Sequence, residues 1–246
     1  YQFIGGFLLC AKAGEAAAVQ QGGVFLRTKA DTRLIVERLK KEYPVSECSL
    51  AYDDAWQLLV SVRLSAQCTD ARVNIVTKDL FAKYPTLEAL AAAGPDAIEA
   101  IIKPCGLGKS KARDLAGMAN MLLREYGGKV PQAMEDLLRL PGVGRKSANL
   151  IRGDIFHLPA VVADTHCIRM ANRIGFVTDT TDPVQVERAL VKVLPPKESN
   201  DFCHRCVMHG RVVCTARKAL CEVCCLQDVC RTGKKTIKQE TLEELV

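Results

Sequence analysis

Leu140-Pro141-Gly142-Val143-Gly144-Arg145-Lys146 lies between two stretches with helical spacing. Met134, Leu137 and Leu138 precede it; Ala148, Ile151 and Ile155 follow it. Apolar residues three or four apart mark one face of a helix. The stretch therefore reads as a turn joining two short helices. Its two glycines, two positions apart, permit a tight turn and close approach by another backbone. The turn feeds a helix N-terminus, where unpaired N–H groups and the positive end of the dipole suit a phosphate. Such a contact reads a nucleic-acid backbone, not its bases. A plain connection between two helices has the same look.

Lys146 falls in the first turn of the second helix, where cations are disfavoured, and Arg145 adds like charge. Both effects favour the neutral amine, the nucleophilic form. The alternative is a solvated surface lysine. Asp164 follows Val161-Val162-Ala163 and precedes Thr165-His166. Asp is a favoured N-cap, and Ile168 and Ala171 suit a helix beyond it. At the mouth of a cleft, the same carboxylate would stabilise a cationic transition state and manage protons.

Working outward, the chain reads as helix after helix. Asp31 is placed to cap a helix carrying Leu34, Ile35 and Leu39 and ending before Pro44. Asp53 to Ser65 carries Ala55, Leu58, Leu59 and Val62 at helical spacing. Thr69 caps the next, with Val73, Val76 and Leu80 on one face. Thr86 and Pro95 each start a short helix, and Gly94 and Gly106 fit stop positions. Ala112, Leu115, Ala119 and Leu122 form another stripe, closed by Gly127-Gly128. Asp182-Pro183 opens a later helix with Gln185 in capping-box position. No stretch alternates as a strand would. The class is all-α.

The 246 residues suit one large domain or two small ones. With 48% hydrophobic residues, wholesale disorder is excluded. No apolar run reaches the ~18 residues of a membrane span. The net charge of +6 hints at an acidic partner. It concentrates in residues 103–152, with ten Lys and Arg against four Asp and Glu. Residues 1–30 read as a tail outside the fold. Phe3 to Leu9 is apolar, but no Lys or Arg precedes it, so it lacks the form of a secretory signal. The expectation is a cytosolic protein, in which disulfides are disfavoured.

Twelve cysteines therefore need another account. Cys214, Cys221, Cys224 and Cys230 are spaced C-x6-C-x2-C-x5-C, a compact span able to wrap an iron–sulfur cluster. Zinc is the rival. Cys203-x2-Cys206 and Cys221-x2-Cys224 make two knuckles, fourteen residues apart, just short of the ~15–20 of a zinc ribbon. That pairing leaves Cys214 and Cys230 unexplained and takes two ligands from Phe202 to His209, which reads as helix. Cys48, Cys68, Cys105, Cys167 and Cys225 read as packing residues, and Cys10 lies in the tail.

Taken together, the chain resembles the endonuclease III family of DNA glycosylase/AP lyases, over roughly residues 30–235. The likeness rests on Leu64-Ser65-Ala66-Gln67 followed by Thr69-Asp70, on Leu140 to Lys146 with Asp164-Thr165-His166, on the four-cysteine set, and on His209-Gly210-Arg211. It implies two helical domains with the active site in the cleft between them. One is a six-helix barrel over residues 48–158, with its helix-hairpin-helix at about 132–156. The other is an iron–sulfur domain built from 31–47 and 159–235, and 236–246 is a C-terminal tail. It implies Lys146 as nucleophile and Asp164 as catalytic carboxylate, acting on a flipped-out nucleotide. Gln67 fills the vacated space, Leu107 wedges the opposite strand, and Gly142, Val143, Gly144 and Arg145 contact DNA. Cys214, Cys221, Cys224 and Cys230 hold a [4Fe-4S] cluster of structural role, beside Arg211, Arg217 and Lys218, which meet phosphates.

The implied partner is double-stranded DNA carrying damaged bases or abasic sites. The protein is expected to act as a monomer on the nucleoid of a prokaryotic cytoplasm. Adenine-excising mismatch glycosylases fit less well, because Leu58 to Gln67 has no Asp or Glu and about sixteen residues follow Cys230. Pyrimidine-dimer and mismatch glycosylases share the scaffold, and a non-enzymatic metal-containing DNA-binding module is the alternative from another class. Arg63, in an otherwise apolar helix, has no role in this reading.

Overall fold

The protein is described here from a computed structural model, over residues 27–243. Its described helices are α1 (Lys29–Glu42), α2 (Ala55–Leu64), α3 (Asp70–Lys83), α4 (Leu87–Ile102), α5 (Gly108–Tyr126), α6 (Met134–Arg139), α7 (Arg145–Asp154), α8 (Thr165–Ile174), α9 (Pro183–Val193), α10 (Ser199–Val212) and α11 (Arg231–Glu243). Among the described residues the only β-pairing is an isolated bridge, Cys214 to Ala219. No described helix is long and apolar enough to cross a membrane.

Local chemistry sets most boundaries. Thr69 and Thr86 cap α3 and α4 through their hydroxyls, which accept from Arg72 N and Ala89 N. Gly94 breaks α4 at φ +73°, ψ +162°, a conformation open essentially to glycine, and Pro95 restarts it. Four expectations need correction. Thr28, not Asp31, caps α1; its Oγ1 accepts from Asp31 N at 3.1 Å. The folded unit reaches at least to Arg27, whose Nη2 donates to Ile174 O at 2.6 Å, so the tail cannot extend to residue 30. Residues 1–26, with Cys10, lie outside the described residues. Gln185 does not close a capping box on Asp182; its Oε1 accepts from Thr180 Oγ1, and Thr180 Oγ1 accepts from Asp182 N. Finally, the segment from 236 is not a separate tail but the continuation of α11 to Glu243.

The helices bury two hydrophobic cores. One holds Leu58, Leu64, Val73, Leu80, Leu90, Ile98, Leu115, Leu122, Leu137 and Ile151, contributed by α2 to α7. The other combines Ile35 and Leu39 of α1 with Met170, Ile174, Val186, Leu190 and Phe202. Leu150 of α7 packs against both. Chain order alone would leave α1 with its neighbours in the first core. Cross-chain bonds place it in the second: Lys40 pairs with Glu198 at 2.7 Å, Arg38 pairs with Asp228, and Arg205 Nε donates to Tyr43 O at 3.1 Å.

Candidate active site

Between the two cores runs a cleft of about 810 Å³. Gln67 and Lys146 line it from the first core's side, and Asp164, His166 and His204 from the second's. Lys146 stands exposed at the second position of α7. Gly144 is the N-cap and has no side chain to close the helix end. The amide groups of the first turn therefore face outward.

Asp164 is delivered by the extended stretch 159–164, whose buried backbone is satisfied by side chains from both sides. Asn149 Nδ2 of α7 donates to Val161 O at 3.1 Å; Ala160 N donates to Ser199 Oγ at 3.1 Å, and Val162 N to Cys203 Sγ at 3.2 Å. Oδ1 of Asp164 accepts from Cys167 N at 2.7 Å, capping α8. The cap and a place in the cleft are thus compatible, because the second oxygen makes no hydrogen bond among the described residues. His166 beside it shares Nδ1 with Arg169 Nη2 at 3.0 Å. Burial holds its pKa below the ordinary value, and the cations of Arg169 and Arg211 push the same way against Asp164.

The hairpin explains Arg63. Gly142 has φ +74°, and a Cβ there would sit 2.6 Å from Arg63 Cδ and Nε. Arg63 is pinned beneath the turn by Asp114, with Nη2–Oδ2 at 2.6 Å. Val143 is buried, with its N–H on Leu140 O at 3.1 Å. Gly144 has ordinary φ (−100°) and open space where its Cβ would be. Arg145 does not point its charge freely at Lys146 or outward: it makes a two-pronged pair with buried Glu187, at 2.7 Å for both contacts.

Gln67 and Leu107 are two of four non-glycine residues with positive φ among the described residues, at +57° and +51°. Leu107 is 56% exposed, which excludes a side chain folded back on the core. Lys111 was legible only as one of the basic residues, yet it is fully buried. The available signal was its register: Lys111, Leu115, Met118 and Leu122 share the buried face of α5.

Cys214, Cys221, Cys224 and Cys230 line one small cavity of about 20 Å³. Cys203 and Cys206 are buried in α10 and do not line that cavity. Among the described residues no three His, Cys, Asp or Glu converge closely enough to hold a single ion. The surroundings suit thiolates. Arg173 Nη1 reaches Cys214 Sγ at 3.3 Å, His209 Nε2 lies 3.3 Å from Cys224 Sγ, and Leu226 N donates to the same sulfur at 3.4 Å. As a thiol, Cys224 is pushed up to about 12 by its bond to Cys225 and by burial. Burial likewise pushes the Cys230 thiol up, and a bound metal's charge would favour the thiolate at both.

Residues 60–196 match the HhH-GPD superfamily of base excision DNA repair proteins. Endonuclease III of Synechocystis sp. is 46% identical over 197 residues, covering 80% of this chain and 90% of that one. The chain belongs to the endonuclease III family. The family's Bacillus subtilis member is 37% identical over 204 residues, covering 83% of this chain and 93% of its own. A solved structure described as a trapped endonuclease III–DNA covalent intermediate superposes with a TM-score of 0.80, at 39% identity. It covers 86% of this chain and 100% of that one.

Proposed function

We propose that this member of the endonuclease III family removes oxidised pyrimidines from duplex DNA and then cleaves the strand 3′ to the abasic site. The observation that carries this reading is that Lys146 and Asp164 line one cleft, from elements belonging to different cores. A nucleotide leaves the stack and enters the cleft. Lys146 Nζ attacks C1′, and the base departs with the electron pair of the glycosidic bond. Ring opening gives a protonated Schiff base, which acidifies the C2′ proton. Loss of that proton expels the 3′ phosphate by β-elimination. Asp164, through its uncapped oxygen, stabilises the developing sugar cation and takes the lysine proton. Gln67 fills the vacated space, Leu107 wedges the facing strand, and the hairpin amides from Gly144 to Lys146 hold a phosphate.

Cys214, Cys221, Cys224 and Cys230 would hold a [4Fe-4S] cluster, and the donors around their sulfurs fit that group. Its contribution when bound is to fix the loop carrying Arg217 and Lys218. Arg211, in the same reading a phosphate contact, is paired with Asp70 at 2.9 Å.

Borohydride reduction on duplex abasic DNA tests the core of this reading. A covalent protein–DNA adduct is expected from wild type and absent in Lys146→Ala. Asp164→Asn should keep DNA binding and lose most base excision. No adduct from folded wild type, or wild-type turnover by Asp164→Asn, would refute the assignment. A panel of duplexes with thymine glycol, pyrimidine dimers and mismatches identifies the lesion.

A further inference from the structure

The ammonium group of Lys111 has no access to solvent. It donates to three backbone carbonyls: Leu64 O at 2.8 Å, Ala66 O at 2.7 Å and Cys105 O at 2.8 Å. Three donors meet three acceptors, so the buried cation is fully satisfied. Burial pushes its pKa down from the ordinary lysine value. Leu64 is the last residue of α2, and Ala66 lies just beyond its end. Carbonyls at a helix C-terminus lack intrahelical partners and carry the negative end of the dipole, which a cation stabilises. The backbone N–H of Lys111 adds a fourth bond, to Leu107 O at 3.0 Å.

These four acceptors are not scattered. Leu64 and Ala66 immediately precede Gln67, and Cys105 and Leu107 bracket Gly106. One side chain therefore ties together the bases of two loops that are separated by some forty residues in the chain. The tip residues of both loops, Gln67 and Leu107, are held in left-handed backbone conformations that persist only when surroundings over-determine them. We infer that Lys111 is a positioning residue that locks Gln67 and Leu107 into a single two-pronged wedge, setting their spacing for the two strands of the duplex. This rests on the roles proposed above for those two residues. Lys111 itself touches neither DNA nor the reacting atoms.

The test compares Lys111→Met with wild type on two substrates, at a temperature where circular dichroism shows both folded. The first is a thymine-glycol duplex, which must be opened. The second is a single-stranded abasic oligonucleotide, which has no stack to empty and no facing strand to wedge. Loosening a wedge by about 1 Å is expected to slow duplex excision on the order of 10- to 100-fold, with single-stranded borohydride trapping changed by less than about threefold. In the Lys111→Met background, Gln67→Ala and Leu107→Ala should cost little more, because the three act as a unit. Equal loss on both substrates, full additivity, or wild-type duplex excision would overturn the inference. If Lys111→Met does not fold, Lys111→Gln, which can donate to two of the three carbonyls, carries the same comparison. A wild type inactive on both substrates would instead refute the proposed function.

Discussion

The two glycines of the hairpin look equivalent in the sequence and should behave differently when each gains a methyl group. Gly142→Ala places a Cβ at φ +74°, where the left-handed backbone costs roughly 1–2 kcal/mol. The same Cβ would stand 2.6 Å from Arg63 Cδ and Nε and 3.0 Å from Asp114 Cβ. Arg63 cannot step aside without opening its pair with Asp114, whose side chains are only 16% and 27% exposed. Stranding such partners costs about 1–3 kcal/mol. The combined loss is about 2–5 kcal/mol, or a fall in Tm of roughly 4–20 °C for a chain of this size. Gly144→Ala meets neither obstacle, since φ is −100° and nothing lies within 4 Å. Its stability should stay within about 0.5 kcal/mol of wild type. Its methyl instead occupies the space a phosphate needs, so affinity for duplex DNA should fall. Differential scanning calorimetry and fluorescence anisotropy on a non-cleavable abasic duplex read the two effects. Equal melting of Gly142→Ala and wild type, or a Gly144→Ala variant as unstable as Gly142→Ala, would refute the reasoning.

Arg145→Ala should destabilise by about 1.5–3 kcal/mol, because Glu187 is left buried without its partner; adding Glu187→Gln should restore part of that loss in the melting temperature. Glu198 has a pKa below its usual 4.5, held there first by the hydrogen bond from Lys40. A depressed folded pKa stabilises above the unfolded value and fades as pH falls through the folded one. The stability gap between wild type and Glu198→Gln should therefore be constant above about pH 5 and shrink below 4.5, as chemical denaturation across that range would show. Cys214→Ser and Cys230→Ser should lose iron, visible absorbance and thermal stability, whereas Cys225→Ser, outside the cavity lining, should retain about four irons per chain. For DNA binding, Lys103→Ala and Lys109→Ala, exposed and unpaired among the described residues, should each lower the salt slope by about 0.9 if their charge meets a phosphate.

How much of this was legible in the sequence depends on how far each cause acts along the chain. Thr69 and Thr86 cap helices within three residues of themselves, and both were readable. The choice between Thr28 and Asp31 was not, because both are good caps three residues apart. The contact from Arg27 to Ile174, 147 residues away, secures the earlier start. Gln185 sat in capping-box register but met Thr180, which comes before the cap and bends back to it. The four-cysteine spacing was readable as a set. That its sulfurs would be faced by Arg173 and His209 was not, since those side chains arrive from α8 and α10.

The basic stretch 103–152 shows the same limit in a way that bears on function. Its excess charge reads as a DNA face, yet charge counted along a chain does not say where the charge ends up. Lys111 is spent inside on three carbonyls, and Arg145 is held by Glu187 from outside the stretch. Arg139 pairs with Glu125 at 2.6 Å. Lys103, Lys109, Arg113, Lys129 and Lys146 remain exposed without an ion pair among the described residues. The cations withdrawn from the surface are not idle. Arg63 supports the turn at Gly142, and Lys111 ties the loops of Gln67 and Leu107. A cation with an exact set of buried acceptors is worth more as a fixed strut than as one more screened surface charge. The same residue type thus divides between attracting the duplex and shaping what meets it, and only burial and pairing in the fold tell the two apart.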